Sequence, residues 1–405
     1  PEPIMSITGR GVPTISDVTT SDGTSFAVDA DGALAPGLGA EQSMLVQADD
    51  LRGLSTTACT SPSREHWFIG ASGEVGRRGR LILANPTDVP AVVDIALWDE
   101  AGPIDAPATQ DIGVPARSQQ IVLVDALAPD SAQVAVRVTT SQGRVTAALE
   151  QRETAEITPQ GITFIPASVA PATEVVVPGV PGHGQRSLRI FAPGEIDAIV
   201  SVRLLGPGGP FTPVGQEVLT VPAGSVLDVP LDSAGTDPVG IELTSDEPVT
   251  ASVRVVDTPG DGGLQEVAYT SASAPLAGPA AVLLGRASGG FTTTLFISSV
   301  TTSAGRVVVR TLGADGAVAE EQTVDVPAGG TVPVALPLSA GGSYAMAVVE
   351  PAQPGTVSVT REISATDDAG SILDLMPLVA PVVKVQVPEV VGELPAVPEP
   401  TSQEE

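Results

Sequence analysis

Trp98 ends an apolar run beside Asp99, and a tryptophan so placed could offer its flat face to a sugar ring. Packing at the end of a sheet is the competing role, and it has more in its favour. Arg77 and Arg78, with Arg80 two residues on, stand out against an acidic background. Guanidinium groups pair with oxyanions bidentately, so these residues could grip an anionic sugar or phosphate polymer; the competing role is a salt-bridge patch facing nearby acids. Trp98, Arg77 and Arg78 are the ligand-contact candidates. A serine triad would need His66 or His183, and these lie beside Trp67 or among glycines, where surface or packing roles fit better. Adjacent acids such as Asp99/Glu100 and Asp367/Asp368 would point to opposite faces of a strand, which is poor geometry for shared acid-base work. Asp29-Ala30-Asp31-Gly32 and Asp257 to Asp261 match a calcium loop only in part. Two His and one Cys cannot build a zinc site or a disulfide framework. The hydrolase elbow, the phosphate loop and the dinucleotide fingerprint are all missing. No catalytic, cofactor-binding or metal residue is therefore assigned, and no cofactor is expected.

The elements that must carry these residues follow from composition. The chain has 405 residues with 19 Lys+Arg against 48 Asp+Glu, a net charge of −29. Such a polyanion is repelled by nucleic-acid phosphates and anionic lipid, so nucleic acid is not an expected partner. Hydrophobic residues make up 42% and charged ones only 17%, too apolar a balance for a disordered chain. With 43 Gly and 38 Pro spread along the sequence, the composition suits many short strands separated by turns. No apolar stretch approaches the ~18 residues of a membrane span.

An internal repeat of about 107 residues organises the chain. RLILANP from Arg80 recurs as SLRIFAPG from Ser187 and as TLFISSV from Thr294, placing Leu81, Leu188 and Leu295 in register. Alternating strands follow at Val93/Ile95/Leu97, Val200/Val202/Leu204 and Val307/Val309, then turn glycines at Gly102, Gly209 and Gly316. The bends VPAR, VPAG and VPAG place Pro115, Pro222 and Pro327 in step, and each precedes further alternating runs. About seven strands in about 100 residues predict an all-β fold of three tandem immunoglobulin-like (fibronectin III-like) β-sandwiches. The alternative is a β-propeller-like arrangement of blades, which requires a 50-residue self-similarity that the repeats lack. The expected divisions are 1–58, a partly irregular N-terminal extension; 59–160, 161–271 and 272–379, the three units; and 380–405, an acidic Pro-rich tail. Cys59 aligns with Ser168 and is expected to be a buried, unpaired thiol.

The ordered set ACTSP, HWFIGASGEVGRRGRLILANP, VPARS, VVVPGVPG and SDEPVTASV resembles an uncharacterised family of secreted actinobacterial proteins, a domain of unknown function, over about Leu54 to Pro377. The resemblance implies an extracytoplasmic protein, with an N-terminal membrane anchor lying outside this chain and genes near envelope glycosyltransferases. It carries over no catalytic residue. The expected function is a non-enzymatic cell-envelope scaffold or interaction protein, secreted or membrane-anchored, whose partner is a protein or a cell-wall polysaccharide. The alternative is a polysaccharide-binding accessory protein of cell-wall glycan assembly.

Overall fold

Alternation builds the strands. In Ala91–Trp98 every second residue is buried, and the β-branched Val and Ile that dominate such runs suit a pleated, half-buried surface. The computed structural model describes residues 3–7, 9–19, 23–48, 51–260, 262–284, 290–336 and 346–381. Within them the chain is nearly all β, with one four-residue helix at Val124–Leu127. No helix among the described residues is long and apolar enough to cross a membrane.

An N-terminal hairpin, β1 (Glu41–Gln47) and β2 (Arg52–Ala58), forms a two-stranded sheet of its own. The first unit contains β3 (Glu65–Ala71), β4 (Arg77–Asn85), β5 (Ala91–Trp98), β6 (Pro103–Ile104), β7 (Ile112–Val114), β8 (Ser118–Leu123), β9 (Val134–Gln142), β10 (Thr146–Ala155) and β11 (Thr158–Ile165). The second contains β12 (Ala172–Val180), β13 (Gln185–Ala192), β14 (Ala198–Gly206), β15 (Gly209–Phe211), β16 (Val218–Val221), β17 (Ser225–Pro230), β18 (Val239–Asp257) and β19 (Glu266–Ser271). The third contains β20 (Ala280–Leu283), β21 (Thr292–Ser299), β22 (Gly305–Leu312), β23 (Val318–Val326), β24 (Thr331–Leu336), β25 (Met346–Pro351), β26 (Val357–Asp367) and β27 (Gly370–Pro377).

One pairing order occurs three times. The first sheet of each unit runs β3-β9-β5, β12-β18-β14 and β20-β25-β22, and the second runs β8-β4-β10-β11, β17-β13-β18-β19 and β24-β21-β26-β27. All pairs are antiparallel, and the two sheets of a unit share one Val/Leu/Ile core. Strand β18 is long because it serves both sheets: Gly240–Ser245 pairs with β14, and Thr250–Val256 with β13. These orders cross over, unlike the sequential meander of a propeller blade, which sets the blade alternative aside. Strand β11 runs across the expected 160/161 division and pairs with β10 through Ile165, so the first unit's ladder ends there. Of the expected 380–405 tail, residues from Val382 on lie outside the described residues.

The units are joined in a repeated manner. The turn after β5 meets the bend before β17, where Val226 N donates to Asp99 O at 3.0 Å, and the turn after β14 meets the bend before β24. The residue after Pro-Ala in each bend is left-handed: Arg117 (φ 53°), Gly224 (63°) and Gly329 (55°). In the third bend a Cβ on Gly329 would lie only 3.2 Å from the preceding unit's Pro210, while in the second a Cβ on Gly224 would make ordinary contact with Pro103 at 3.6 Å, so at Gly224 it is the positive φ that favours glycine. In the first bend Arg117 extends to Asp88 at 2.8 Å. At the centre the last strands converge, with β19 lying against both β11 and β27 and β2 touching β27 and β11.

At the joint of the second and third units, a Cβ on Gly179 would lie 2.5 Å from Phe296 Cβ and 2.9 Å from Thr360 Cβ. Gly179→Ala should therefore lower unfolding free energy by about 2–3 kcal/mol in urea titrations. Gly208→Ala, where a new Cβ meets nothing within 4 Å, should change it by less than about 0.5 kcal/mol. Equal effects would contradict the tight-joint geometry.

Candidate functional site

Trp98 leaves the end of β5 and enters the joint between the first two units. Its ring lies 6.1 Å from Trp67 in a stacked arrangement and 5.1 Å from Phe191 of the second unit. Offset and tilted contacts of this kind stabilise a packed interface, and Arg137 covers Trp67 at 5.0 Å. Arg77 and Arg78 begin β4, opposite Glu153 and Arg152 of β10. Arg77 pairs with Glu153, which also receives Arg254 of the second unit at 2.5 Å; Arg80 and Arg152 reach Glu150 at 3.4 and 2.6 Å. The side chains of Glu150 and Glu153 are only 2% exposed, so these carboxylates need the cations around them. Arg78 remains exposed. The structure thus places Trp98 in the joint of the first two units, pairs Arg77 within the first unit to the glutamate that Arg254 also reaches, and leaves Arg78 exposed.

Cys59 is exposed, not buried as its alignment with Ser168 suggests. Ser168 lies inside a joint and bonds Thr250, whereas Cys59 sits where the N-terminal hairpin leaves for the first unit. His66 is buried, with Nε2 2.9 Å from Val145 O, and burial lowers its pKa, which favours a neutral packing residue. Among the described residues no group of three or more metal-ligating side chains assembles.

Two polar assemblies escaped the sequence reading. The first lies at the centre, around the N-terminal hairpin. Arg361 is fully buried and donates to Glu41 at 2.8 Å, to Thr56 at 2.9 Å and to Asp374 at 3.4 Å. Arg52 donates to Asp367 and to Ser371 O, both at 2.6 Å. Glu266 lies against Gly53 and Gly161, and Ile162 N and Val267 N donate to its Oε1 at 3.1 Å. Burial pushes the Glu266 carboxyl well above the ordinary carboxylate range. Side chains from the hairpin and from the second and third units therefore meet, with backbone of the first unit, in one desolvated region.

The second is a groove of about 740 Å³ between the second and third units, lined by His183, Arg186, Thr236, Phe296, Pro333 and Glu362. His183, in the turn between β12 and β13, has Nδ1 3.2 Å from Asp257 and Nε2 3.0 Å from Glu362. Hydrogen bonds to Asp257 and then Glu362 outweigh burial and raise its pKa to about 10. An imidazolium donating both protons holds two carboxylates together and is poorly suited to act as a general base at neutral pH. The partners are 74 and 179 positions away, so spacing could not have revealed them.

The folded pKa of His183 is raised, so its contribution to stability is full below about 6.5 and is lost as pH rises through about 10. Its side chain is 45% exposed, and with solvent screening His183→Gln should cost only about 1 kcal/mol at pH 7. The cost should fade above pH 10 in thermal melts. An imidazole titrating near 6.5 by NMR would refute the clamp.

With this geometry in hand, no curated protein matches the chain. A family does, over the N-terminal hairpin, the first two units and most of the third: residues 14–337 match the family of unknown function DUF5719, and the chain belongs to that family.

Proposed function

We propose that the protein is a non-enzymatic, extracytoplasmic scaffold or interaction protein of the cell envelope, presenting three tandem immunoglobulin-like, fibronectin III-like β-sandwiches as one rigid body. The observation that carries this reading is where the polar side chains go. Arg189 donates to Gly70 O, Arg254 meets Glu153, His183 reaches Glu362 and Arg361 reaches Glu41; each of these bonds ties one unit to another or to the N-terminal hairpin. A chain that spends buried charge on joints holds its outer edges and loops at fixed separations, which a partner that touches more than one unit can use. The polysaccharide-binding alternative has less support, because the Trp98 ring is engaged by Trp67 and Phe191.

Small-angle scattering should give a radius of gyration near the ~21 Å of a compact chain of this length, unlike flexibly linked beads. Fractionation of producing cells should recover the protein outside the cytoplasmic membrane, and photo-crosslinkers at outward positions Ile199 and Val308 should trap a discrete partner. Recovery in the cytosol, or a scattering profile of independent beads, would overturn the proposal.

A further inference from the structure

The outer edge of the first sheet differs among the three units. In the first unit the edge next to β5 is broken into β6, two residues beginning at Pro103, and β7, three residues, with a 3-10 turn at Pro107–Thr109 between them. In the second it is broken into β15, three residues around Pro210, and β16, four residues. Short strands and prolines are the usual means of blunting a sheet edge, whose unpaired N–H and C=O groups otherwise recruit another strand. In the third unit the same edge is one strand of nine residues, β23, containing neither Pro nor Gly and regularly paired with β22 from Glu320 to Val326, with one register shift at Ala319. Six of its residues are exposed, and among the described residues it pairs with β22 alone. By comparison β3, the opposite edge of the first unit's sheet, has six of its seven residues buried.

The chemistry of β23 narrows the occupant. Glu320, Glu321 and Asp325 lie on the strand, and Asp315 lies in the turn before it; Arg310 and Arg306 of β22 answer Glu321 and Asp325 at 2.5 and 2.7 Å. The edge keeps a negative excess on a chain of net charge −29. A second copy would bring like charges side by side, which opposes pairing of two β23 edges. An incoming strand with alternating basic residues meets carboxylates on a ready hydrogen-bonding ladder.

We propose that β23 is a docking edge at which an extended, basic segment of a partner protein adds as a further strand to the third unit's sheet. Main-chain hydrogen bonds to the free side of Val318–Val326 would supply affinity, and the carboxylates would select Lys- or Arg-bearing strands. The proposal rests on the platform reading and names its partner class, while its test does not depend on where the protein resides in the cell.

The probe is a fluorescent peptide of alternating lysine and valine with blocked ends, titrated into the full chain at physiological salt. Its control has the same charge but carries N-methyl groups on alternate amides, so it cannot extend a ladder. The unmodified peptide should bind at least tenfold more tightly than the control, and amide exchange should slow within residues 318–326. In an antiparallel edge strand, alternate N–H groups point outward, so either Gln322→Pro or Thr323→Pro should retain the wild-type melting temperature. That variant should lose at least tenfold in affinity for the unmodified peptide. Equal binding of the two peptides would show attraction by charge alone and overturn the proposal, as would protection confined to other strands. Undiminished binding by the folded proline variant would do the same.

Discussion

The structure depends on a desolvated junction in which every buried charge needs partners from a different part of the chain. Arg361 is held by Glu41 and Thr56 from the N-terminal hairpin and by Asp374 from the neighbouring strand, and Arg52 reaches back to Asp367 and Ser371. Removing one member of such a set would strand a buried charge at a cost of about 3–5 kcal/mol, whereas an isolated surface pair contributes about 0–1. The hairpin is therefore held by side chains, since among the described residues β1 and β2 pair only with each other. A lone hairpin is marginal in water, so its order derives from this seat. Glu266 adds a constraint from the second unit: pressed against Gly53 and Gly161, it favours the protonated state, and rising pH works against that packing.

Around this centre the units repeat their joints as well as their cores. The turn after β5 rests on the second unit's bend, and the turn after β14 on the third unit's bend. In the turn after β22, a Cβ on Gly316 would lie 2.7 Å from Gly11 O of the N-terminal segment. Gly23 of the same segment accepts from Gln119 of β8, the residue that corresponds to Val226 in the joint of the first two units. The N-terminal residues thus touch both ends of the three-unit array, as capping elements do in repeat proteins.

The all-β character and the threefold period were legible in the sequence, because alternation and turn residues are local signals that recur every 107 or so positions. The strand pairs built from Leu81, Leu188 and Leu295 follow directly. The joints were not legible, because they are made by residues that differ between units. Arg189, Ile82 and Phe296 fall at one repeat position, yet Arg189 bonds Gly70 O across a joint and Phe296 packs under Gly179. Trp98 and Arg77 drew attention as unusual residues; Phe191, which meets Trp98, lies in another unit, and Arg77 pairs with Glu153, 76 positions away, which Arg254 of the second unit also reaches, all beyond the reach of spacing arguments. His183 is the clearest case, since two distant carboxylates change a turn histidine into a fixed cation.

The bends show how position within the array, and not the fold of a unit, selects a residue. Arg117, Gly224 and Gly329 share one left-handed backbone conformation, so the local fold makes the same demand three times. A non-glycine residue there carries strain of about 1 kcal/mol or more, which a free-standing unit could relieve with glycine at no steric cost. Arginine occupies the first bend, where it pairs with Asp88, and glycine occupies the two that lie beside a proline of the preceding unit. The same logic governs the outer edges. Prolines lie in them in the two units whose turns meet the next unit's bend, and in the third unit the edge is the nine-residue β23. Divergence among the repeats therefore records which surfaces each unit must close and which it leaves open.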